Sequence, residues 1–579
     1  MSSKGRLDVR FVTAAGCGLA AFIVGAASVA SGGLQLQPKA GAPLQGLSAA
    51  ELALFEAGKG LFETPLTDEQ GLGPIFNKAG CFSCHTNPLG GWGSITVTRF
   101  GFSDKGTFDP LTHLGGPLHQ AAAINQGCEE SIPGPEIANV ITLRVTNSSL
   151  AFGMIEAIPD AAILANEDPF DADKDGVRGR AHMVHAVEDC LQTPEGPDCT
   201  DVPLRVGRFG WKAQVATVLT FSADAAVNEM GLTNRFFPVE NAPNGDLALL
   251  ALCDNVPDPE DVADQDGFDF VDRVTHFQRY LGVPPQTPRS GMSGEAIFNA
   301  IGCAVCHVAE WTTADDPSLE DAIRNKTIRP YSNFLLHNMG LLGDGMVDGD
   351  AGDLDIRTPT LWNLATRDPM LHDGRAAGGT FFDRVAGPGG AIWWHNVIGS
   401  EAQGSASAFF ALPFFEQVEV VKFLQSLGRL EFDSDRDNEI DYFDFLDFKA
   451  CFDFGGDKIS PDDECAVHDI NQDGVVDLID FQWFLLAYEG VNGDCNDNGV
   501  SDLEEILLGA PDDDGDGIPD DCAAVCVGDI DGSGSIDGAD LGALLGAWGT
   551  ANAGADLNRD GTVDGADLGI LLGAWGSCP

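Results

Sequence analysis

Ile75-Phe76-Asn77-Lys78-Ala79-Gly80-Cys81-Phe82-Ser83-Cys84-His85 returns 222 residues later as Ile297-Phe298-Asn299-Ala300-Ile301-Gly302-Cys303-Ala304-Val305-Cys306-His307. Both copies end in Cys-x-x-Cys-His, the pattern of c-type haem attachment. The two thiols become thioethers to the porphyrin vinyls, and the next imidazole coordinates iron beneath the ring, so each motif anchors a cofactor and supplies its proximal ligand. A zinc half-site, a redox dithiol or a plain disulfide would use the cysteines but leave the following histidine without a role. The shared Ile-Phe-Asn lead-in argues against coincidence. Two covalently bound haem c groups are expected, one on Cys81, Cys84 and His85, the other on Cys303, Cys306 and His307.

Around this pair the chain reads as an exported protein. Lys4, Arg6 and Arg10 precede an apolar stretch from Phe11 to Val29 and small residues at Ser28-Val29-Ala30, the build of a secretory signal over residues 1–30. An uncleaved anchor is the competing reading, because the stretch approaches spanning length, although its Gly and Ala content weakens it as a span. No later segment is long and apolar enough to cross a bilayer, so the expected location is the periplasm or the cell exterior. Fifteen cysteines fit an oxidising compartment. Close pairs suggest Cys190/Cys199, Cys451/Cys465 and Cys495/Cys522, leaving Cys128/Cys253 and Cys526/Cys578, although sequence alone does not fix connectivity.

Charge separates the ends of the chain. Acidic residues number 89 against 32 basic ones, and residues 431–579 alone hold 37 acidic and 4 basic. Such a surface repels nucleic acid and anionic lipid and suits calcium. The expected organisation is a first cytochrome c-like haem region at 45–125, a middle insertion at 126–285, a second cytochrome c-like region at 286–428, an EF-hand or dockerin-like pair at 431–490, acidic calcium-binding repeats at 491–525 and a second dockerin-like pair at 526–579. Helices are predicted over Leu47–Leu61, Asp266–Leu281, Ser293–Ile301 and Phe414–Leu427, and the fold class as mainly α.

Five further motifs carry a resemblance: Gly207-Arg-Phe-Gly-Trp211-Lys-Ala-Gln214, Ile328 to Gly340 with His337 and Met339, Arg357-Thr-Pro-Thr-Leu-Trp362, Leu371-His-Asp-Gly-Arg-Ala376, and Trp393-Trp-His395. With the haem motifs they resemble the di-haem oxidoreductases once labelled thiol oxidoreductases, a family similar to the bacterial di-haem cytochrome c peroxidases. The resemblance covers roughly residues 45–428. It implies that His395 is the sixth ligand of the iron held by His307; Met339 is the substitute the sequence itself offers, and a partly buried histidine bonded to a propionate is the plainer role for His395. The stretch Gly378–Gly390 makes the His372 to His395 interval longer than the family pattern. His372 and Asp373 would steer propionates and tune the iron, and Thr366 and Pro369 loosely match carbonyls that hold an inter-haem calcium in the peroxidases.

The first haem has no evident sixth ligand in the sequence, with His113 and His119 the nearby histidines. An open iron position suits peroxide, and a carboxylate must then move a proton between the peroxide oxygens. Glu156 is the first candidate, with a solvent-facing helix residue as its plain alternative, and Gln120 follows. Trp211 reads either as an electron relay between haems or as a packed core residue.

The acidic tail repeats the ligand grammar of a calcium loop, oxygen ligands at positions 1, 3, 5, 9 and 12 around a tight turn. Asp433, Asp435, Asp437, Asp441 and Asp444 form one loop, and Asp469, Asn471, Asp473, Asp477 and Asp480 a second. Asp494, Asn496, Asn498, Asp502 and Glu505 form a third. Asp529, Asp531, Ser533, Asp537 and Asp540 form a fourth, and Asp556, Asn558, Asp560, Asp564 and Asp567 a fifth. The last two are each followed by Leu-Gly-x-Leu-Leu-Gly-Ala-Trp-Gly and resemble a type I dockerin, which implies a cohesin-like docking partner. Asp512 to Asp520 looks more like a thrombospondin type 3 repeat, and Asp171 to Gly176 imitates half a loop. The functional expectation is an exported di-haem peroxidase-type enzyme fed by a small c-type cytochrome or other electron donor and tethered through calcium modules. A non-enzymatic electron carrier, or haem cargo on a polysaccharide-degrading or surface assembly, stands as the alternative.

Overall fold

Each haem motif is approached by a helix that crosses a later helix. Helix α1 (Ala49–Phe62) opens with a capping box from Ser48 and Glu51, which satisfies its first amides. The sheet that follows holds β1 (Thr96–Asp104), β2 (Thr107–Asp109) and β3 (Val140–Val145), antiparallel in the order β2-β1-β3 with Val97 opposite Arg144. Helix α2 (Val218–Met230) and helix α3 (Phe270–Arg279) come next. Helix α4 (Ser293–Ala300) leads into the second motif and packs on α5 (Phe414–Ser426).

Two glycines make the crossings possible. A Cβ on Gly58 of α1 would lie 2.1 Å from the Arg273 carbonyl oxygen of α3, and one on Gly294 of α4 would lie 1.9 Å from the Glu419 carbonyl oxygen of α5. Only glycine lets the backbones approach this closely. The α1/α3 crossing buries Phe55, Phe62, Val274 and Phe277 in the larger core, and the α4/α5 crossing buries Phe298, Val420, Phe423 and Leu424 in a second. The predicted helices thus appear within a few residues of their expected bounds. Helix α3 lies in the stretch expected as an insertion, yet it packs on α1, the helix before the first motif.

The computed structural model describes residues 34–579 apart from 255–257, 454–457, 497, 514, 521, 523–526, 532, 534, 553, 559–560 and 578–579. The proposed signal, Cys17, Asp560 and the Cys526/Cys578 pair therefore involve positions outside the described residues. The chain divides into two compact units, Met1–Leu36 and Gln37–Pro579, and every element named here belongs to the second. Among the described residues no helix is long and apolar enough to cross a membrane.

The expectation of a mainly α fold is corrected. The chain is 32% helix and 12% strand, with several small sheets. The strands fall both in the first haem region, which holds β1 and β2, and in the middle section, whose Gly- and Pro-broken stretches fold as short strands and loops around α2 and α3. Thr96-Val-Thr-Arg-Phe-Gly-Phe is rich in β-branched and aromatic residues, a strand signal the helical reading passed over.

Disulfides join Cys128 to Cys253, Cys190 to Cys199, Cys451 to Cys465 and Cys495 to Cys522. Among the described residues the cysteines outside disulfides are Cys81, Cys84, Cys303 and Cys306. The oxidised pairs staple the loops and leave the haem motifs' thiols for other chemistry.

In the tail, α6 (Tyr442–Cys451), α7 (Leu478–Ala487), α8 (Gly538–Gly546) and α9 (Gly565–Gly573) each start with the same capping box, formed by Asp441/Asp444, Asp477/Asp480, Asp537/Asp540 and Asp564/Asp567. The residues at positions 9 and 12 of the expected loops are therefore also those that launch each helix. The first module is fastened to the second haem region. Glu431, buried, receives Arg289 and both the backbone and side-chain amides of Gln37, and Asp462 accepts from the Ser293 amide at the start of α4 at 2.9 Å.

Candidate functional site

Two cavities open against the two motifs. The first encloses about 1190 Å³ with its solvent mouth and is lined by Cys81, Cys84 and His85 together with residues of α2, β1 and β3. His85 Nδ1 lies 3.2 Å from the Gly91 carbonyl oxygen, which commits that nitrogen and leaves Nε2 as the coordinating atom. Burial lowers the imidazole to about 4, so it is neutral, as a metal ligand must be. Burial also raises the Cys81 and Cys84 thiols to about 12 and about 11, which disfavours a redox dithiol or zinc thiolates. The lead-in to the motif is held from α2, where Glu229 accepts from Asn77 through its side chain at 2.8 Å and its carbonyl at 2.7 Å.

The remaining wall of the first cavity mixes signs. Arg99, Arg144, Lys78, Asp224 and Glu229 line it beside apolar Val97, Phe221 and Met230. Burial raises both carboxylates above the usual range, Arg99 pulling each of them back. Arg144 is held at 2.7 Å by Asp344 and 2.9 Å by Asp348, while Lys212 meets Asp344 at 2.9 Å. Among the described lining residues His85 is the single histidine, so no second imidazole faces the first iron position.

The second cavity, about 1220 Å³ with its mouth, gathers His337, Met339, His372 and His395 around His307. His307 Nδ1 lies 2.9 Å from the Tyr331 carbonyl oxygen, and burial lowers its imidazole to about 4. His395, on the one-turn helix Ala391–His395, commits Nδ1 to the Ala391 carbonyl at 2.7 Å. The long Gly378–Gly390 interval holds a further short helix, Phe381–Val385, whose Val385 lines the cavity. His372 is buried with Nε2 4.0 Å from Asp373, and burial lowers its imidazole to about 4.

Trp211 lines both cavities. Its Nε1 donates to the Val145 carbonyl at 2.9 Å, its ring lies 6.1 Å from that of Trp92 and 6.1 Å from that of His372, and the Arg367 guanidinium sits 3.5 Å over Trp92 and 5.5 Å over Trp211. Both cavities are predominantly apolar and each presents two thiols and a neutral imidazole with one ring nitrogen committed. The residues present therefore fit a covalently held porphyrin.

Glu156 lies elsewhere: its carboxylate takes Arg279 at 2.5 Å and the Val218 amide at 2.5 Å, and it lines neither cavity. Gln120 is buried behind α2, donating to the Asn228 carbonyl at 3.1 Å, and also stands outside the lining. His113 and His119 are likewise absent from the first cavity wall, whereas His372, His395 and Met339 line the second. Sequence reasoning missed Arg99, Asp224 and Glu229 in the first cavity and the functional weight of Arg357 and Arg367 in the second. Asp224 and Glu229 carry no motif; acidic residues on a largely apolar helix are their sole signal.

In the tail, carboxylate oxygens of Asp433, Asp435 and Asp444, and of Asp529, Asp531 and Asp540, come within 4.8 Å of one another, as do those of Asp168, Asp171 and Asp173. Asp444, Asp480, Asp540 and Asp567 are buried. In the third loop Asn496 and Asn498 donate to Glu505, and Asp502 accepts the Cys495 amide.

A family model described as "Di-haem oxidoreductase, putative peroxidase" matches residues 137–427. Among solved structures, a hydrazine synthase from Kuenenia stuttgartiensis is 13% identical over 69% of this chain and 98% of its own, with a TM-score of 0.27, too low to argue from. No curated protein sequence matches the chain.

Proposed function

Because the chain belongs to the di-haem oxidoreductase family, we propose that it is an exported peroxide-reducing enzyme with two covalent haems, supplied with electrons by a small c-type cytochrome or comparable donor. The observation that carries the reading is the shared wall: one side chain, Trp211, borders both cavities, so the two cofactors are electrically adjacent. The haems, when bound, supply the redox chemistry, with reducing equivalents entering at the His307 site and leaving at the His85 site. The asymmetry of ligands supports that direction. The second cavity offers His395, with Met339 in reserve, to complete a six-coordinate electron store, while the first presents no second histidine among its described lining residues, Met230 being their one thioether.

Reduction of hydrogen peroxide to two waters consumes two electrons and two protons. Asp224 and Glu229 are the carboxylates of the first cavity, and their raised affinity for protons suits proton delivery there. Arg99 beside them limits how far that affinity rises. Glu156, paired with Arg279, instead ties the short helix before it to α3.

For the tail we propose calcium binding at the repeated loops and attachment to a cohesin-like partner through the last pair. Buried carboxylates at position 12 support a bound cation, and the matched helices α8 and α9 leave Leu545, Trp548, Leu572 and Trp575 about half exposed at equivalent positions. Export through the N-terminal segment completes the reading.

The test is spectroscopic and kinetic. Protein matured in a host competent for cytochrome c assembly should carry two haems per chain, show a high-spin signal from one of them after reduction of the other, and turn over peroxide. Two low-spin haems in every redox state, with no turnover, would overturn the enzyme in favour of an electron carrier.

A further inference from the structure

Arg357 and Arg367 are buried, and both line the second cavity. Their hydrogen bonds run to neutral carbonyls. Arg357 donates from Nε to Gly210 at 2.6 Å and from Nη1 to Thr358 at 2.9 Å, and Arg367 donates to Pro369 at 3.4 Å and to Leu371 at 3.3 Å. Several other buried cations are treated differently. Arg144 and Lys212 share Asp344, Arg208 meets Asp160, and Arg279 sits between Glu156 and Glu320. A buried guanidinium without a countercharge is costly, and the two arginines are near enough for Arg357 to push the affinity of Arg367 for its proton further down. Burial alone carries Arg357 to about 10 and, with that neighbour, Arg367 to about 9.

Two uncompensated cations in one apolar cavity call for a dianion. A porphyrin of the haem type carries two propionate carboxylates, and the guanidinium fork is the side chain that matches a carboxylate in shape and charge. We propose that Arg357 and Arg367 form the carboxylate-binding site for the propionates of the second haem. The inference rests on the di-haem reading and adds to it. Arg367 touches Trp92 face-on and stands near Trp211, so the same residue that fixes the haem's anionic edge also abuts the aromatic pair leading to the first cavity. The first cavity, whose arginines already hold aspartates, places no equivalent demand on its porphyrin.

The matured holoprotein and the variants Arg357→Gln, Arg367→Gln, Arg357→Lys and Arg367→Lys are to be compared by optical redox titration and by haem count in alkaline pyridine. Covalent attachment retains the cofactor in each variant, so the effect is read as a shift rather than a loss. Each Gln change is expected to move the midpoint potential of the second haem downward while that of the first stays in place, and each Lys change to recover most of the shift. Unmoved midpoints in both Gln variants, or a shift confined to the first haem, overturn the proposal. A wild-type count below two haems per chain overturns the di-haem reading itself, which separates the two failures. Should a Gln variant not fold, resonance Raman of the wild type and Arg367→Lys decides. A changed propionate bending mode, reflecting loss of the bidentate contact, supports the site, and an identical mode overturns it.

Discussion

The two cavities share a motif, a size and an orienting carbonyl for the proximal histidine, yet differ in what else surrounds the porphyrin position. The first pairs its cations with aspartates and keeps Asp224 and Glu229 within reach of a ligand. The second collects His372, His395 and Met339 besides His307, engages both ring nitrogens of His337 with Glu401 and Asn333, and leaves two arginines without carboxylates. A site built to move protons needs titratable groups near an open position, whereas a site built to hold an electron needs a saturated iron in a fixed positive field. The difference teaches that one attachment motif can be set in two unlike walls, which is the basis of the division of labour proposed for them.

The largest effect should come from removing attachment at one site. Cys81→Ala with Cys84→Ala should reduce the haem count from two to one and abolish peroxide turnover, measured by pyridine spectra and by donor oxidation. Retained turnover would dissolve the proposed assignment of roles. Next, Asp224→Asn should lower the turnover number about 10²-fold and flatten its pH profile, with partial recovery in Asp224→Glu. An unaltered profile would remove the proton-handling distinction between the cavities. His395→Ala should then convert the second haem to a high-spin species in electron paramagnetic resonance, while Met339→Ala leaves it low-spin. The reverse outcome would exchange the two ligands without erasing the contrast.

The smallest effect concerns the tail, where charge pairing is again the issue. Burial raises Asp433 to about 6 and Asp480 to about 7, so the folded module binds protons that the unfolded chain, with carboxylates near about 3.9, has released. That contribution is complete below the unfolded value and disappears as pH climbs through the folded ones. Without calcium, the first module should therefore unfold about 5 °C lower at pH 7 than at pH 4, read by circular dichroism. With calcium the order should reverse, because the cation requires ionised ligands.

Short-range grammar was legible: the Cys-x-x-Cys-His repeats and the helices beside them follow from spacing within about a dozen residues, and the close cysteine pairs from separations of 9, 14 and 27. Long-range company was not. Glu156 could be singled out as a carboxylate near the expected first haem, but its partner Arg279 lies 123 residues away and draws it from the cavity. Arg357 sits in a motif that signals family without signalling charge balance, and its lack of a carboxylate partner emerges only once the chain is folded. The strands escaped for a related reason: β1 of the first haem region finds its partner β3 in the middle section, and local strand propensity was outweighed by the helical expectation attached to the motifs.

Glu431 and Asp462 give the first acidic module a mechanical consequence. They grip Arg289, Gln37 and the opening amide of α4, so the segment from 431 to 490 behaves as a bracket bolted to the half that carries the second motif. Trimming the chain just after α5 would strip the bracket and unseat a helix that carries an attachment motif. A clean fragment holding both motifs should be cut beyond Tyr488.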